Sequence, residues 1–231
     1  MATLRELVYD LQNLKSAGRK SDDSLLSDRQ VAFIINSYRL VILKQDLQKG
    51  RRLNQETVQN LGNVKVKKVN PADCGCEIAN CHLYKVESTL PKTLEVDGDL
   101  KLTFVGSIHG KSFQKTSFQR LPYDLYSKYT AGMNKWFKIG EELYIVSANA
   151  TLGKTINVQG IFEDPLKASE YRTCLCENDE TCTDGWDSEY PLPLTMWDTV
   201  KKLIMDAELK FMDSQVNDSL NNSKDESSPS I

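Results

Sequence analysis

The hydrophobic period of this chain changes twice, and that limits the architectures open to it. Leu4, Leu7, Val8, Leu11 and Leu14 recur at helical spacing, and a second helical pattern follows to about residue 49. From Asn63 to Phe162 the spacing is two, and over 195–212 it is helical again. Because the strands are not separated by helices, a doubly wound α/β sheet is excluded. The pattern predicts an α+β fold: an N-terminal helical bundle with a returning C-terminal helix, and an antiparallel β-meander or barrel-like middle. The expected parts are 1–62 (helical), 63–162 (β-rich), 163–213 (a Cys-bearing loop and a docking helix that packs with the N-terminal helices) and 214–231 (a Ser-, Asn- and Asp-rich disordered tail).

Local signals place the elements. Thr3-x-x-Glu6 and Ser27-x-x-Gln30 are capping boxes, and Gly18 and Gly50 are the matching stops. The second helix carries Val31, Phe33, Ile34, Ile35, Tyr38, Leu40, Val41, Ile42, Leu43 and Leu47, more than one apolar face. Such a helix is packed on several sides, either between subunits or at the centre of the chain's own core. Asn54 is positioned to cap a short third helix closed by Gly62. Val64-x-Val66, Leu83-x-x-Val86 and Leu100-x-Leu102-x-Phe104 read as strands, and 106–133, with Gly106, Gly110, Pro122 and Gly132, as a long loop. A meander is expected next: 136–139 turning at Gly140-Glu141 into 143–146, then turning at Leu152-Gly153 into 156–162. A short helix over 165–171 follows the Glu163-Asp164-Pro165 break, and Tyr190-Pro191-Leu192-Pro193 launches the last amphipathic helix.

Charge is uneven although the net is only −3. Residues 100–140 carry seven Lys/Arg against Asp124 alone, net +6, whereas 161–231 carry sixteen acids and six bases, net −10. This asymmetry fits two different partners or two differently solvated surfaces. The start has no basic segment followed by an apolar one, and no run approaches the ~18 apolar residues of a membrane span. The expectation is a chain made and folded in a cytoplasm, where disulfides are disfavoured and the sequons at Asn149 and Asn221 are chance matches.

Few residues offer chemistry. Gly153-Lys154-Thr155 lacks the earlier glycine of a phosphate loop, with Ala148 in its place, and a strand rather than a helix follows; it reads as a hairpin turn. Two cysteine clusters, Cys74, Cys76, Cys81 with His82, and Cys174, Cys176, Cys182, leave three readings open: a structural zinc site, disulfides formed outside the cell, or free thiols packed in loops. Apart from that zinc, no cofactor is expected. His109 lies in a loop, and Asp22-Asp23 and Glu141-Glu142 read as solvated turn acids. No nucleophile elbow or His-Glu-x-x-His is present, so the sequence supplies no positioned acid, base or nucleophile and no enzyme is expected. Lys111, Lys115, Arg120, Lys128, Lys135 and Lys138 interleave with seven aromatics between Phe113 and Phe137. That pattern serves either a nucleic-acid track or strands with aromatics inside and lysines outside.

Two groups of motifs point further. One is Leu4-Arg5-Glu6-Leu7-Val8-Tyr9-Asp10, the Asp22-Asp23 turn, and the helix from Ser27-Asp28-Arg29-Gln30 to Leu43-Lys44-Gln45-Asp46. The other is 160–165 (GIFEDP) and 187–193 (DSEYPLP). Their order and spacing, over roughly residues 1–213, resemble a virion structural protein of crAss-like phages, the podovirus-like phages of gut Bacteroidales. The resemblance implies a head-to-tail connector, a portal-proximal adaptor or ring protein that acts by assembly in the virion. It implies as partners further copies in a ring, a dodecamer by resemblance, the portal protein, other tail ring proteins and DNA passing without sequence recognition, with no membrane. A cyclic ring needs two different patches on each subunit. The expected interface residues are Ile35, Tyr38 and Ile42 on the second helix and Trp197, Val200, Ile204 and Phe211 on the last. The alternatives are a zinc-stabilised nucleic-acid-binding module, or another tail or cargo protein of the same virion.

Overall fold

The structure, a computed structural model, describes residues 2–15, 27–70, 82–130, 132–147, 152–174 and 185–209. Gly18, five of the six cysteines, the Asn149 sequon and everything beyond 209 lie outside the described residues. The chain divides into two units: Met1–Glu56 with Trp186–Ile231, and Thr57–Gly185. The architecture is mixed α and β, as expected.

The first unit is helical. Helix α1 (Leu4–Lys15) opens on its capping box: the Thr3 N–H donates to the Glu6 carboxylate at 3.0 Å, and the Glu6 N–H to Thr3 Oγ1 at 3.2 Å. Helix α2 (Asp28–Gln48) opens the same way between Ser27 and Gln30. It closes with the Gly50 N–H on the Leu47 carbonyl at 3.0 Å and the Arg51 N–H on the Asp46 carbonyl at 2.9 Å. That pair of bonds satisfies carbonyls a helix end otherwise leaves open. Helix α5 (Leu194–Ile204) starts after Pro193 and runs into one π-helical turn, Met205–Leu209. Both α1 and α5 pack on α2.

The C-terminal segment returns because backbone bonds tie it to the start of the chain. The Tyr190 N–H donates to the Ala2 carbonyl, the Arg5 N–H to the Trp186 carbonyl, and Thr3 bridges Glu189. On α2 the buried residues are Val31, Ala32, Ile35, Arg39, Ile42 and Leu43. Phe33 is 73% exposed and Val41 46%. The helix is therefore part of the chain's own core on one face and open on another.

The second unit is a β structure. Its strands are β1 (Gln59–Val69), β2 (His82–Val86), β3 (Glu95–Val96), β4 (Asp99–Leu100), β5 (Leu102–Ser107), β6 (Gln114–Lys115), β7 (Lys135–Ile139), β8 (Glu142–Ser147) and β9 (Thr155–Gly160). Seven of them form one sheet in the order β5-β9-β1-β2-β8-β7-β6, with β6-β7 the single parallel pair. β3 and β4 make a separate hairpin that turns at Asp97-Gly98, an Asp-Gly signal that the sequence reading passed over.

Three sequence expectations need correction here. The third helix is only a 3-10 turn (Gln55–Thr57), begun by Asn54, whose Oδ1 accepts from the Glu56 N–H. Strand β1 then starts at Gln59 and runs through Gly62, which sits at a bulge with φ +76°, a conformation only glycine takes without strain. Gly62 therefore bends a strand rather than ending a helix. The β7-β8 hairpin forms as read, but β9 pairs with β1 and β5, not with β8. Non-local pairing with the long β1 covers β9 on both edges, and spacing along the chain carries no record of that. Lys154 and Thr155 consequently lead from one strand into another that is not its neighbour, rather than closing a hairpin. Finally, the long loop 106–133 contains β6 and a helix, α3 (Leu121–Tyr126).

One short segment curls the sheet into its barrel-like form. The Phe113 N–H donates to Val105 of β5, while the Gln114 and Thr116 N–H groups donate to Asn134 and to Trp136 of β7. Residues 112–116, which contain the end strand β6, thus bond to β7 and to the other end strand, β5, and cover edges that would otherwise lie open. The inner face packs Leu61, Val64, Val66, Val105, Trp136, Ile145, Ile156, Val158 and Phe162 into one core. The outer face of β2, β7 and β8 is also buried, through Leu83, Phe137, Tyr144 and Val146, because Leu121 of α3 lies over it. Helix α4 (Pro165–Cys174) is capped by Asp164, which accepts from the Leu166 N–H at 3.1 Å, and packs on β1.

Candidate assembly surface

The expected interface residues take part chiefly in the interior of the helical unit. Ile35, Ile42, Trp197, Val200 and Ile204 are buried there. Trp197 Nε1 donates to Asp10 Oδ2 at 3.1 Å, and Lys201 Nζ reaches the same oxygen at 2.6 Å while lying 5.4 Å from the Trp197 ring centroid. The Lys201 hydrogen bond, joined by that from Trp197, holds the Asp10 carboxyl below its ordinary value. Tyr38 is half-buried, and its hydroxyl donates to Glu208 at 3.1 Å. Burial and, next, that carboxylate push the phenol up. Phe211 lies outside the described residues. The faces these residues leave in water are Phe33 and Val41 on α2 and Leu194 and Leu203 on α5.

A buried arginine, absent from the sequence expectations, locks the Pro-Leu-Pro entry to α5. Arg39 is fully buried; its Nε donates to the Pro191 carbonyl at 3.1 Å and its guanidinium lies 5.8 Å from the Tyr190 ring centroid. Tyr190 in turn donates to Asn36 Oδ1 at 3.1 Å.

Of the metal candidates, Cys74, Cys76, Cys81, Cys176 and Cys182 lie outside the described residues, as does the side chain of Cys174 at the end of α4. His82 opens β2 opposite Ser147, half-buried. Among the described residues, no three His, Cys, Asp or Glu side chains gather as metal ligands would. Glu142 is a partner of Lys85 and Tyr144, whose hydrogen bonds keep its carboxyl below the ordinary value.

The aromatic and basic stretch divides in two. In β7 the alternation does what a strand predicts: Trp136 and Phe137 are buried on opposite faces of the sheet. In and after α3 it does not. Tyr123 is 80% exposed, and Tyr126 and Tyr129 82% each, the most exposed large hydrophobic side chains among the described residues. Their spacing of three, around Pro122, is the one sequence signal that marked them as sharing a turn.

This tyrosine arm is built on a firm base. Phe118 packs on Phe137 with centroids 5.8 Å apart, and Phe137 stacks on Tyr144 at 5.5 Å. Fully buried Lys135 donates to the Asp124 carbonyl at 2.6 Å, which also accepts from Thr130 Oγ1 at 2.8 Å. Thr116 Oγ1 donates to the Asp124 carboxylate at 2.6 Å, and Arg120 pairs with it at 3.3 Å. The Thr116 hydrogen bond first, and the charges of Arg120 and Lys135, hold that carboxyl below its ordinary value against the effect of burial. Lys101 and Lys115 both pair with Asp99, one acid shared by two bases.

In class, this is an α+β subunit whose buried polar groups join its elements and whose apolar side chains in water gather on a helix face and a rigid arm. The family model described as phage tail ring protein 2 matches residues 6–227, and the chain belongs to that family of viral structural proteins. No curated protein matches the chain. No helix among the described residues is long and apolar enough to cross a membrane.

Proposed function

We propose that this chain assembles into a homo-oligomeric ring in the head-to-tail connector or tail of a phage, below the portal. The ring forms part of the conduit through which the genome passes, and it works by assembly rather than catalysis. The observation that carries this reading is the tail-ring family match over nearly the whole chain. Supporting it is the shape of the apolar exposure: a ring requires two unlike patches per subunit, and the α2 face and the tyrosine arm belong to different units. The partners in this reading are further copies, twelve to the ring by resemblance, the portal, neighbouring tail rings and non-specifically held DNA. Assembly takes place in the bacterial host cytoplasm, and the product resides in the virion.

Ile35, Tyr38, Ile42, Trp197, Val200 and Ile204 serve the ring by holding the helical unit in shape, while Phe33 and Val41 meet the neighbour. Native mass spectrometry of the purified protein, alone and mixed with its portal, tests the reading. A ring-sized mass, or a monomer converted to one by portal, is expected. A monomer indifferent to portal would sink it.

A further inference from the structure

We propose that the Tyr123–Tyr126–Tyr129 arm is one half of the contact between adjacent copies of this chain, docking on the acidic C-terminal part, 186–231, of the next copy. The inference rests on the ring reading above and adds which surfaces meet.

Tyr123, Tyr126 and Tyr129 leave 80–82% of their surface in water within their own subunit. Covering them would remove roughly 400–600 Å² from water, at the usual yield of a buried tyrosine. That is about half to three quarters of the ~800 Å² that each partner contributes to a stable interface. Tyrosine is also the residue type interface cores favour, because a rigid ring supplies area at little entropic cost and keeps a hydroxyl for the wet rim. The arm is held in advance by the buried Lys135 and Asp124 and by the Phe118–Phe137–Tyr144 stack, so little ordering remains for docking.

Charge selects the occupant. Across 99–140 there are seven bases and two acids, net +5, and Lys128, between Tyr126 and Tyr129 in the chain, stands exposed. The region 186–231 of the same chain carries nine acids and four bases, net −5, with Glu189 and Asp198 exposed among its described residues. A head-to-tail contact between copies brings these opposite signs together and sets the direction of assembly. A nucleic-acid occupant is the weaker fit. A backbone track needs a row of unpaired cations, whereas Lys101, Lys115 and Arg120 pair with Asp99 and Asp124, and buried Lys135 donates to a carbonyl.

The experiment uses the full-length chain, with portal if the wild type needs it to form rings. Two preparations are compared with wild type: the triple variant Tyr123→Ser, Tyr126→Ser, Tyr129→Ser, and a single copy carrying a photo-crosslinking amino acid at position 126. The triple variant is expected to keep the wild-type circular dichroism spectrum and melting temperature. The protein concentration for half-assembly should rise at least ~30-fold, the effect of losing one interface hot spot. The crosslink should map to residues 186–231 of another copy, and its yield should fall as salt rises. Unchanged assembly by the variant, or crosslinks confined to portal, to another tail protein or to DNA, would overturn the arm's role while leaving the ring reading intact. A wild type that forms no ring in either condition removes both.

Discussion

At the scale of single residues, the helical unit is held by a few polar side chains that each join two elements. Asp10 on α1 receives both Trp197 and Lys201 from α5. Its carboxyl is held below the ordinary value of 3.8, so it contributes stability that is complete above that value and lost as pH falls through the depressed one. Because the side chain is 42% exposed, solvent screens the pair, and the two contacts together are worth about 1 kcal/mol. Asp10→Asn is expected to lower the unfolding free energy at pH 7 by that amount and to flatten the loss of stability below about pH 4. Urea titrations of both proteins at pH 7 and pH 3.5 check this; an equal difference at the two pH values would refute it. None of this was legible in the sequence. Asp10 sits among residues quoted for a resemblance, and Lys201 is one base among several on an amphipathic helix. A contact across 191 positions leaves no local trace.

At the scale of elements, the closure of the β unit depends on how closely residues 111–113 approach β5. Gly106 permits it: a Cβ there would stand 2.4 Å from the Lys111 carbonyl oxygen and 2.6 Å from Phe104 Cζ. A backbone oxygen cannot swing aside as a side-chain tip can. Gly106→Ala should therefore cost about 1–3 kcal/mol, as overpacked sites do. Hydrogen exchange would show the loss concentrated in β5, β6 and β7, and unchanged protection there would contradict the closure role. Much at this scale was legible. Both capping boxes form, α2 ends at Gly50, the β7-β8 turn falls at Gly140, and α4 begins at Pro165. These signals act within four residues of themselves, so neighbouring sequence is enough to read them. The strand order was not legible, because β9 finds its partners 49 to 101 residues back.

At the scale of the whole molecule, the chain separates residues that make the subunit from residues that face outward. Trp197→Asp or Ile204→Asp places a charge in the interior of the helical unit. Such variants should lose α-helical signal and ring formation together, by several kcal/mol. Phe33→Asp changes a side chain already in water and should leave melting unchanged while weakening assembly. Circular dichroism alongside native mass spectrometry separates the two. A folded, ring-forming Trp197→Asp protein would contradict the packing described here, and a Phe33→Asp protein that assembles normally would remove the α2 face from the ring contact.

The sequence by itself determined the class of fold, the starts of α1, α2 and α4, the family and the uneven charge, because periodicity, caps, motif order and charge are properties of neighbours along the chain. Only the tertiary structure decided which apolar residues were left over. Ile35 and Phe33 are equally apolar and lie on one helix, and so are Trp136 and Tyr126 alike as aromatics in one basic stretch. Which of each pair is buried depends on what the rest of the chain packs against it: α1 and α5 cover one face of α2 and leave Phe33 outside. Likewise the curled sheet encloses Trp136 while α3 spends Leu121 on the outer face and turns its tyrosines to water.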